Sequence, residues 1–288
     1  MDIFNLPGLT NINIELTSRC NKKCWMCGRR KVEKHYPELA MNYGDIDFTL
    51  LEKIVDQLPP RIMVQLHNNG ESLLYPYFGD AIELFRRQTT NIVSNGKLLI
   101  EKSDEIINNL DTLAISIIEN DPEGEEQLKI IEEFLKLKGD RPPYTILRLN
   151  GMVSSTPYDK FHIPIARRTI HAAMGSFNYR KNPTIPEVGI CLDFLSHMAI
   201  NKDGKASICV RFDPKGLGII GDLNVQSLDE VWNGNPRMEW FDLHKSGKRK
   251  DVPLCSYCHF WGIPTGGDDP AKRECEDEQK LFGKKERD

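Results

Sequence analysis

The length and charge of this 288-residue chain exclude several classes of protein. A hydrophobic content of 40% supports one large α/β domain, or one domain with a small appendage. The net charge of −4, from 38 basic and 42 acidic residues, gives no reason to expect a nucleic-acid or membrane partner. Since the chain shows neither a secretory signal nor the ~18 apolar residues of a membrane helix, we expect a cytoplasmic protein.

Strand-like and helix-like segments alternate along the N-terminal half of the chain. Strands are predicted at residues 12–16, 61–66, 91–93, 113–118 and 144–153, and helices at residues 48–58, 78–87, 98–110 and 123–137. This order is typical of parallel strands joined by right-handed crossovers. The sequence therefore predicts an α/β protein in which functional groups gather at the carboxyl ends of the strands.

The pattern changes in the C-terminal half. Prolines interrupt the region after residue 155, where a sixth strand and helix are expected. Residues 198–208 predict a β-hairpin with Asp203 and Gly204 at its turn. Ser227 and Glu230 have the spacing of a capping box and predict the start of a helix. The charged segment at residues 265–288 is expected to be a tail.

Polar groups follow or end each of the five predicted strands. They are the cysteines after the first strand, Asn69-Gly70-Glu71 after the second, Ser94-Asn95 after the third, Ser116 late in the fourth and Arg148 in the fifth. His67 also lies at the end of the second strand. Because the carboxyl ends of parallel strands meet at one edge, we expect these groups to form one site.

Cys20, Cys24 and Cys27 lie on one short loop. Three thiolates can bind three irons of a [4Fe–4S] cube and leave the fourth iron open to a substrate or cofactor. The alternatives are a zinc site and an inert trio, although structural zinc usually takes four ligands and only His35 is a possible fourth. In a reducing compartment, eight cysteines with gaps this short favour metal over disulfides.

This three-then-two spacing after the first strand resembles the radical S-adenosylmethionine superfamily. The resemblance implies a partial (β/α)6 TIM-type barrel and a [4Fe–4S] cluster that binds S-adenosyl-L-methionine. It further implies that the enzyme generates a 5′-deoxyadenosyl radical that abstracts hydrogen from a substrate. The cofactor-binding residues implied by position are Trp25, Met26, Asn69, Gly70, Glu71, Ser94, Asn95, Ser116 and Arg148.

The motif after the second strand departs from the family pattern. Asn69 replaces the first Gly of the family's Gly-Gly-Glu motif, and Ser72 replaces the Pro that usually follows it. Glu71 could instead be an acid at a helix N-terminus, where the helix dipole favours it. Ser116 could be a satisfied polar residue of a strand. Arg148 could be an ion-pair partner, His67 a core residue, and Trp25 a cover over the cluster.

A second set of cysteines lies in the C-terminal part. Cys191 and Cys209 bracket the predicted hairpin, and Cys255 and Cys258 follow the predicted helix. This order resembles the SPASM auxiliary-cluster domain or its short form, twitch, and implies a second, fully ligated [4Fe–4S] cluster. A zinc knuckle is the alternative for the same four thiols. The implied organisation is a barrel at residues 1–180, a twitch domain at 181–264 and a charged tail.

The layout is similar to that of the butirosin-pathway 2-deoxy-scyllo-inosamine dehydrogenases. It implies an oxidoreductase that oxidises a sugar or aminocyclitol, with the auxiliary cluster as electron acceptor and with Arg148 and His67 as catalytic candidates. Flavodoxin or ferredoxin is the implied electron donor. The alternatives are a peptide-modifying maturase or epimerase, in which Cys275 could donate hydrogen, and a non-catalytic zinc-binding protein.

Overall fold

The structure is a computed structural model that describes residues 5–168, 190–210 and 212–257. Within these ranges, nine strands form a single sheet. The strands are β1 (Asn11–Ile14), β2 (Met63–Gln65), β3 (Thr89–Ser94), β4 (Thr112–Ile118), β5 (Tyr144–Asn150), β6 (Ile165–Arg168), β7 (His197–Ile200), β8 (Lys205–Ser207) and β9 (Ile219–Asp222).

Eight α-helices accompany the sheet in the described ranges. They are α1 (Gly28–His35), α2 (Phe48–Val55), α3 (Phe78–Leu84), α4 (Ser103–Ile106), α5 (Gly124–Lys138), α6 (Leu192–Ser196), α7 (Leu228–Trp232) and α8 (Asn235–Lys245). Single 3-10 turns lie at Pro37–Leu39, Ser72–Leu74, Asp159–Phe161, Arg249–Asp251 and Cys255–Tyr257.

The strand order is β6-β5-β4-β3-β2-β1-β7-β8-β9. The pairs from β1 to β6 are all parallel and follow the chain order, which is the order of a TIM-type barrel. The predicted α/β class and the predicted parallel barrel strands are therefore confirmed. This arrangement brings the ends of the first five strands, with their polar groups, to one edge of the sheet.

Alternation along the strands separates a buried face from a half-exposed face. In β3, Thr90, Ile92 and Ser94 are buried, while their neighbours are partly exposed. The buried face packs against helices such as α5, whose Ile131 and Phe134 are fully enclosed. The half-exposed face is polar and carries Ser116 of β4 beside Arg148 of β5.

The helix predicted at residues 98–110 is much shorter in the structure. The sequence predicts a helix at residues 98–110, but the structure forms only the four-residue α4 there, after a turn at residues 97–102. Asn108 adopts a positive φ of 68°, a left-handed conformation that ends a helix. Its backbone N–H donates to Pro142 instead, at 3.0 Å. This tertiary contact accounts for the C-terminal end of α4.

The C-terminal strands extend the barrel sheet. β7 pairs in parallel with β1, and β7, β8 and β9 then follow as an antiparallel meander. The predicted hairpin is confirmed, with Gly204 at a φ of 78° in its turn. The predicted capping box is also confirmed, since Ser227 Oγ accepts from Glu230 N at 3.2 Å and Glu230 accepts from Ser227 N at 2.7 Å.

One hydrophobic core serves both halves of the described chain. It includes Ile12 of β1 and Val252 near the C-terminal turns. Trp232 of α7 donates its indole N–H to Pro7 O at 2.9 Å, which also joins the two halves.

The predicted domain boundaries stay a prediction, and the predicted tail lies outside the described residues. None of the described helices is long and apolar enough to cross a membrane.

Candidate metal centre and cofactor site

The first cysteine loop connects β1 to α1. Cys20 and Cys24 lie in the loop, and Cys27 stands in extended conformation just before the first turn of α1. Cys27 N donates to Cys24 O at 3.1 Å, which folds the last part of the loop into a turn. All three thiols are half-buried and none forms a disulfide. The predicted trio is thus presented together at the carboxyl end of β1.

Close backbone contact joins the cysteine loop to the turn after β2. A Cβ on Gly70 would lie 1.9 Å from Thr17 O, so only glycine fits at this position. Glu71 N donates to Arg19 O at 2.8 Å. The buried Arg29 guanidinium donates to Ser18 O, and also to Asn69 O at 2.6 Å. These contacts explain why the Asn69-Gly70-Glu71 motif lies beside the cysteines.

Glu71 is the centre of a buried hydrogen-bond network. Its carboxylate accepts from Ser94 Oγ at 2.9 Å, from Asn95 N at 2.7 Å and from Leu73 N at 3.4 Å. Burial raises the pKa of Glu71, and these hydrogen bonds act in the opposite direction. The carboxylate therefore fixes the end of β3 against the turn after β2.

Asn95 extends this network to the cysteine loop. Its Nδ2 donates to Asn21 Oδ1 at 2.8 Å and lies 3.8 Å from Cys20 Sγ. The buried Gln127 of α5 donates to Asn95 O at 2.6 Å and to Ser116 O at 2.9 Å. Glu71, Ser94, Asn95 and Ser116 are therefore brought together with Cys20, as the sequence predicted for a shared edge.

The chemistry of the three thiols suits an iron–sulfur cube. Burial is the largest cause that raises the pKa of Cys24 to about 11, and the neighbouring Cys27 and Cys20 add to this effect. Burial also raises the pKa of Cys20. Clustered thiols of this kind are costly to ionise alone, and a bound metal removes that cost by taking the place of the protons. Among the described residues, no three His, Cys, Asp or Glu side chains are spaced for one metal ion. A cube does not require such spacing, because each thiolate binds a different iron.

The far side of the cysteine loop is anchored to the segment after β4. Trp25 is 49% exposed and donates its indole N–H to Glu119 O at 2.8 Å. Met26 is half-buried beside it. Lys22 forms a buried ion pair with Asp121. The loop is consequently fixed on two sides, at the turn after β2 and at the turn after β4.

Arg148 and His67 lie apart from the Glu71 network. Arg148 is half-buried and sits beside Ser116 in the sheet register, and its guanidinium makes no hydrogen bond or ion pair within the described residues. His67 has a buried Nδ1 that lacks a hydrogen-bond partner in the same ranges. Burial, together with His197 and Arg168, lowers the pKa of His67 to about 3, so this imidazole is neutral at neutral pH.

The second cysteine set is only partly described. Cys191 precedes α6, Cys209 follows β8 and Cys255 begins a 3-10 turn, and all three are half-buried against the common core. Cys191 N donates to Nδ1 of the buried His244 at 3.3 Å. Cys258 and Cys275 lie outside the described residues.

Sequence reasoning missed several polar residues that build this site. They are Glu15, Asn21, Lys22, Arg29, Asp121 and Gln127. Gln127 offered one signal, because it is a polar residue on the buried side of the otherwise apolar face of α5. Lys22 and Asp121 offered none, since they lie 99 residues apart and meet only in the folded chain.

Comparison with known proteins identifies the C-terminal part and the fold. Residues 191–259 match SPASM, an iron–sulfur cluster-binding domain. BtrN in complex with AdoMet and 2-DOIA superposes with a TM-score of 0.52 and 16% identity, over 91% of this chain and 97% of BtrN. SuiB from Streptococcus suis superposes with a TM-score of 0.58 and 14% identity, over 87% of this chain and 72% of SuiB. The chain has the fold of these radical S-adenosylmethionine enzymes.

A sequence relative matches over a shorter segment. The tungsten-containing aldehyde ferredoxin oxidoreductase cofactor-modifying protein of Pyrococcus furiosus is 30% identical over 110 residues, which are 36% of this chain and 28% of that protein. The chain thus matches less than a third of this relative's length. The predicted resemblance and layout are confirmed by the SPASM match and the two folds. The SPASM match supports the predicted iron–sulfur domain in the C-terminal part, whereas the [4Fe–4S] cluster and S-adenosylmethionine at the first cysteine loop belong to the proposed function.

Proposed function

We propose that this chain is a radical S-adenosylmethionine oxidoreductase that oxidises a hydroxylated small molecule, such as a sugar or an aminocyclitol. The observation that carries the proposal is the joining of the three-cysteine loop to Glu71, Asn95 and Ser116 at the carboxyl edge of the sheet. The SPASM match supports a second cluster in the same chain. Together these features would supply a radical source and an electron acceptor.

The residues of this chain would divide the work between two centres. Cys20, Cys24 and Cys27 would hold the cluster with the open iron, which would supply the electron for reductive cleavage of S-adenosylmethionine to a 5′-deoxyadenosyl radical. Cys191, Cys209, Cys255 and Cys258 would hold the auxiliary cluster. Full ligation by four thiolates leaves no iron open to substrate, which suits a role in electron transfer.

The cofactor-contacting role is assigned to the carboxyl edge of the sheet. The polar backbone and side-chain groups of Asn69, Asn95 and Ser116 lie there beside the cysteines. Glu71 uses its oxygens to hold Ser94 and Asn95 in place, so in this arrangement it positions the site. Trp25 and Met26 complete the loop that would lie against the adenine.

The half-exposed face of the sheet would bind the substrate. The guanidinium of Arg148 forms no ion pair within the described residues and can hold a hydroxyl group or an alkoxide. The neutral imidazole of His67 can hydrogen-bond a substrate hydroxyl if the substrate reaches its buried Nδ1. BtrN, whose structure contains AdoMet and 2-DOIA, aligns over 97% of its length and favours this small-molecule proposal.

A peptide substrate is the second candidate. It is favoured by the higher TM-scores of the SuiB structures, which include a complex with the precursor peptide SuiA at a TM-score of 0.57. A peptide-modifying enzyme could use the same two clusters for oxidation or for epimerisation. In the epimerase version, Cys275 would donate the hydrogen, and Cys275→Ala would lose activity.

Deuterated substrates distinguish these proposals. The anaerobic enzyme is supplied with dithionite, S-adenosylmethionine and either carbon-deuterated aminocyclitols and sugars or deuterated peptides. Transfer of deuterium into 5′-deoxyadenosine from a carbinol position supports the proposed oxidation. Transfer from a peptide Cα alone would overturn the small-molecule proposal and favour the second candidate.

A further inference from the structure

A buried ion pair stands inside the cysteine motif. Lys22 lies between Cys20 and Cys24, and its side chain is 2% exposed. Its ammonium group pairs with the carboxylate of Asp121, whose side chain is 9% exposed. The next residue, Lys23, points into solvent. One of two adjacent lysines on the loop is thus enclosed together with a buried carboxylate.

Both partners are held in place by further contacts. Asp121 Oδ1 accepts from Glu123 N at 3.1 Å, and Asp121 N donates to Ile118 O at 3.3 Å, which fixes the turn after β4. Arg30 of α1 donates to Lys22 O at 3.3 Å. The pair therefore has a defined position between the cysteine loop and the start of α5.

The two charges act on the cysteine site in opposite directions. The positive charge of Lys22 lowers the pKa of the Cys24 thiol, and the negative charge of Asp121 raises it, beneath the larger effect of burial. Lys22 also lowers the pKa of Glu71 on the other side of the loop. Lys22 lies two residues from both Cys20 and Cys24, so the buried ion pair is placed beside the sulfurs that would bind iron.

Reduction of a cluster at this loop adds one negative charge to a partly buried region. A buried cation nearby stabilises the added electron, and a buried anion opposes it, since water screens neither charge well. We propose that the Lys22–Asp121 pair sets the reduction potential of the cluster at Cys20, Cys24 and Cys27, with Lys22 favouring electron uptake and Asp121 limiting it. This inference rests on the proposed cluster.

A purely structural role gives a different expectation. If the pair only fastens the loop to β4, removing either partner should loosen the loop and change iron binding in the same direction. If the pair sets the potential, removing the cation and removing the anion should shift the potential in opposite directions. The sign of the two shifts therefore separates the two roles without reference to activity.

The test compares reconstituted Lys22→Met, Asp121→Asn and wild-type enzyme, with Lys23→Met as the matched control. Each protein is titrated with dithionite and redox mediators, and the EPR signal that changes when S-adenosylmethionine is added identifies the N-terminal cluster. At a fixed solution potential, we expect the ratio of reduced to oxidised cluster to fall roughly tenfold in Lys22→Met and to rise roughly tenfold in Asp121→Asn. Lys23→Met removes the same charge from an exposed position and should leave the ratio unchanged.

The outcomes are separable. Shifts of the same sign, or no shift in either variant, would overturn the inference while leaving the cluster itself established. If Lys22→Met fails to retain iron, Asp121→Asn alone decides, because it keeps the cation and most of the shape of the pair. A wild-type protein without iron or an EPR signal would instead contradict the proposed function on which the inference rests.

Discussion

Gly70 is the residue at which the cysteine loop and the turn after β2 approach most closely. Gly70→Ala would place a Cβ 1.9 Å from Thr17 O, and both partners are backbone, so one of the two segments must move. We expect a loss of roughly 2–4 kcal/mol in unfolding free energy and a several-fold fall in iron retained by the loop. Denaturant unfolding and iron analysis measure the two effects.

Gly124→Ala is the matched control for this substitution. A Cβ at Gly124, at the start of α5, meets nothing within 4 Å, so alanine there should be neutral or slightly stabilising. Equal effects of the two substitutions would contradict the close-approach explanation.

His67 predicts a pH dependence of stability. Its pKa is lowered from 6.5 to about 3 in the folded protein. Between these two pH values, the unfolded chain therefore binds a proton at His67 that the folded chain does not bind. The stability from this residue is complete above the unfolded pKa and is lost as the pH falls toward the folded value. Between about pH 7.5 and about pH 5.5, the loss should be about 1.4 kcal/mol.

Urea unfolding at the two pH values tests this prediction. His67→Gln should lose less stability than the wild type over the same interval, because it has no imidazole to titrate. His35→Gln replaces an exposed histidine and should keep the wild-type dependence. A His67→Gln protein with an undiminished dependence would show that His67 is not buried in the neutral form.

At the residue scale, the sequence predicted the site residues that directly follow the ends of strands. It did not predict the site residues that lie on other segments, such as α5 and the turn before it. Cys20, Glu71 and Asn95 could be predicted, because a parallel sheet gathers strand ends at one edge. Gln127 and Asp121 could not, because their roles depend on how α5 and the turn before it pack.

At the element scale, Glu15 links three segments of the fold. This fully buried carboxylate at the end of β1 accepts from Asn69 N at 3.0 Å and from Lys202 N at 3.2 Å. It therefore connects the turn that supports the cysteine loop with the hairpin that begins the C-terminal part. The N-terminal and C-terminal halves of the chain are therefore joined by the hydrogen bonds of Glu15 as well as by their common sheet.

Glu15→Ala should disturb both of these segments. Two backbone N–H groups would lose their acceptor, at a cost of roughly 2–4 kcal/mol in unfolding free energy. Glu52→Ala, on the exposed side of α2, is the control and should change the stability little. Denaturant unfolding provides the measurement, and a Glu15→Ala protein as stable as the control would refute the linking role.

Element prediction succeeded where the pattern is local. The strands that became β3 and β4 and the long helix α5 agree with their predicted positions to within two residues. The parallel pairing of β7 with β1 was not predicted, because a hairpin pattern does not tell which sheet edge the hairpin will join. The C-terminal end of α4 coincides with the contact of Asn108 with Pro142, which apolar spacing does not encode.

At the scale of the whole molecule, the two cysteine sets predict a division of labour. Cys27→Ala would remove a ligand of the proposed cluster with the open iron and should abolish reductive cleavage of S-adenosylmethionine. Cys255→Ala should leave cleavage in place but lose oxidised product, because the electron from the substrate has no acceptor. Chromatographic assay of 5′-deoxyadenosine and of product measures both. Unchanged product formation in Cys255→Ala would contradict the dehydrogenase proposal.

The overall architecture was predictable because its signals are redundant. Alternating strands and helices, the two cysteine groups and the hairpin between Cys191 and Cys209 all pointed to the same layout. The substrate could not be predicted in this way, because Arg148 and His67 are general hydrogen-bonding groups that suit many hydroxylated molecules. The fold follows from patterns of spacing, whereas in the proposed function the choice of substrate would depend on the shape of the half-exposed face.

The most direct test of the account is the metal content of the anaerobically reconstituted protein, read together with its EPR spectrum. We predict a brown protein with on the order of eight irons per chain, as two cubes of four. One reduced-cluster signal should change when S-adenosylmethionine is added, and Cys27→Ala should lose that signal alone. A colourless protein that carries zinc at both cysteine sets would contradict the proposed function.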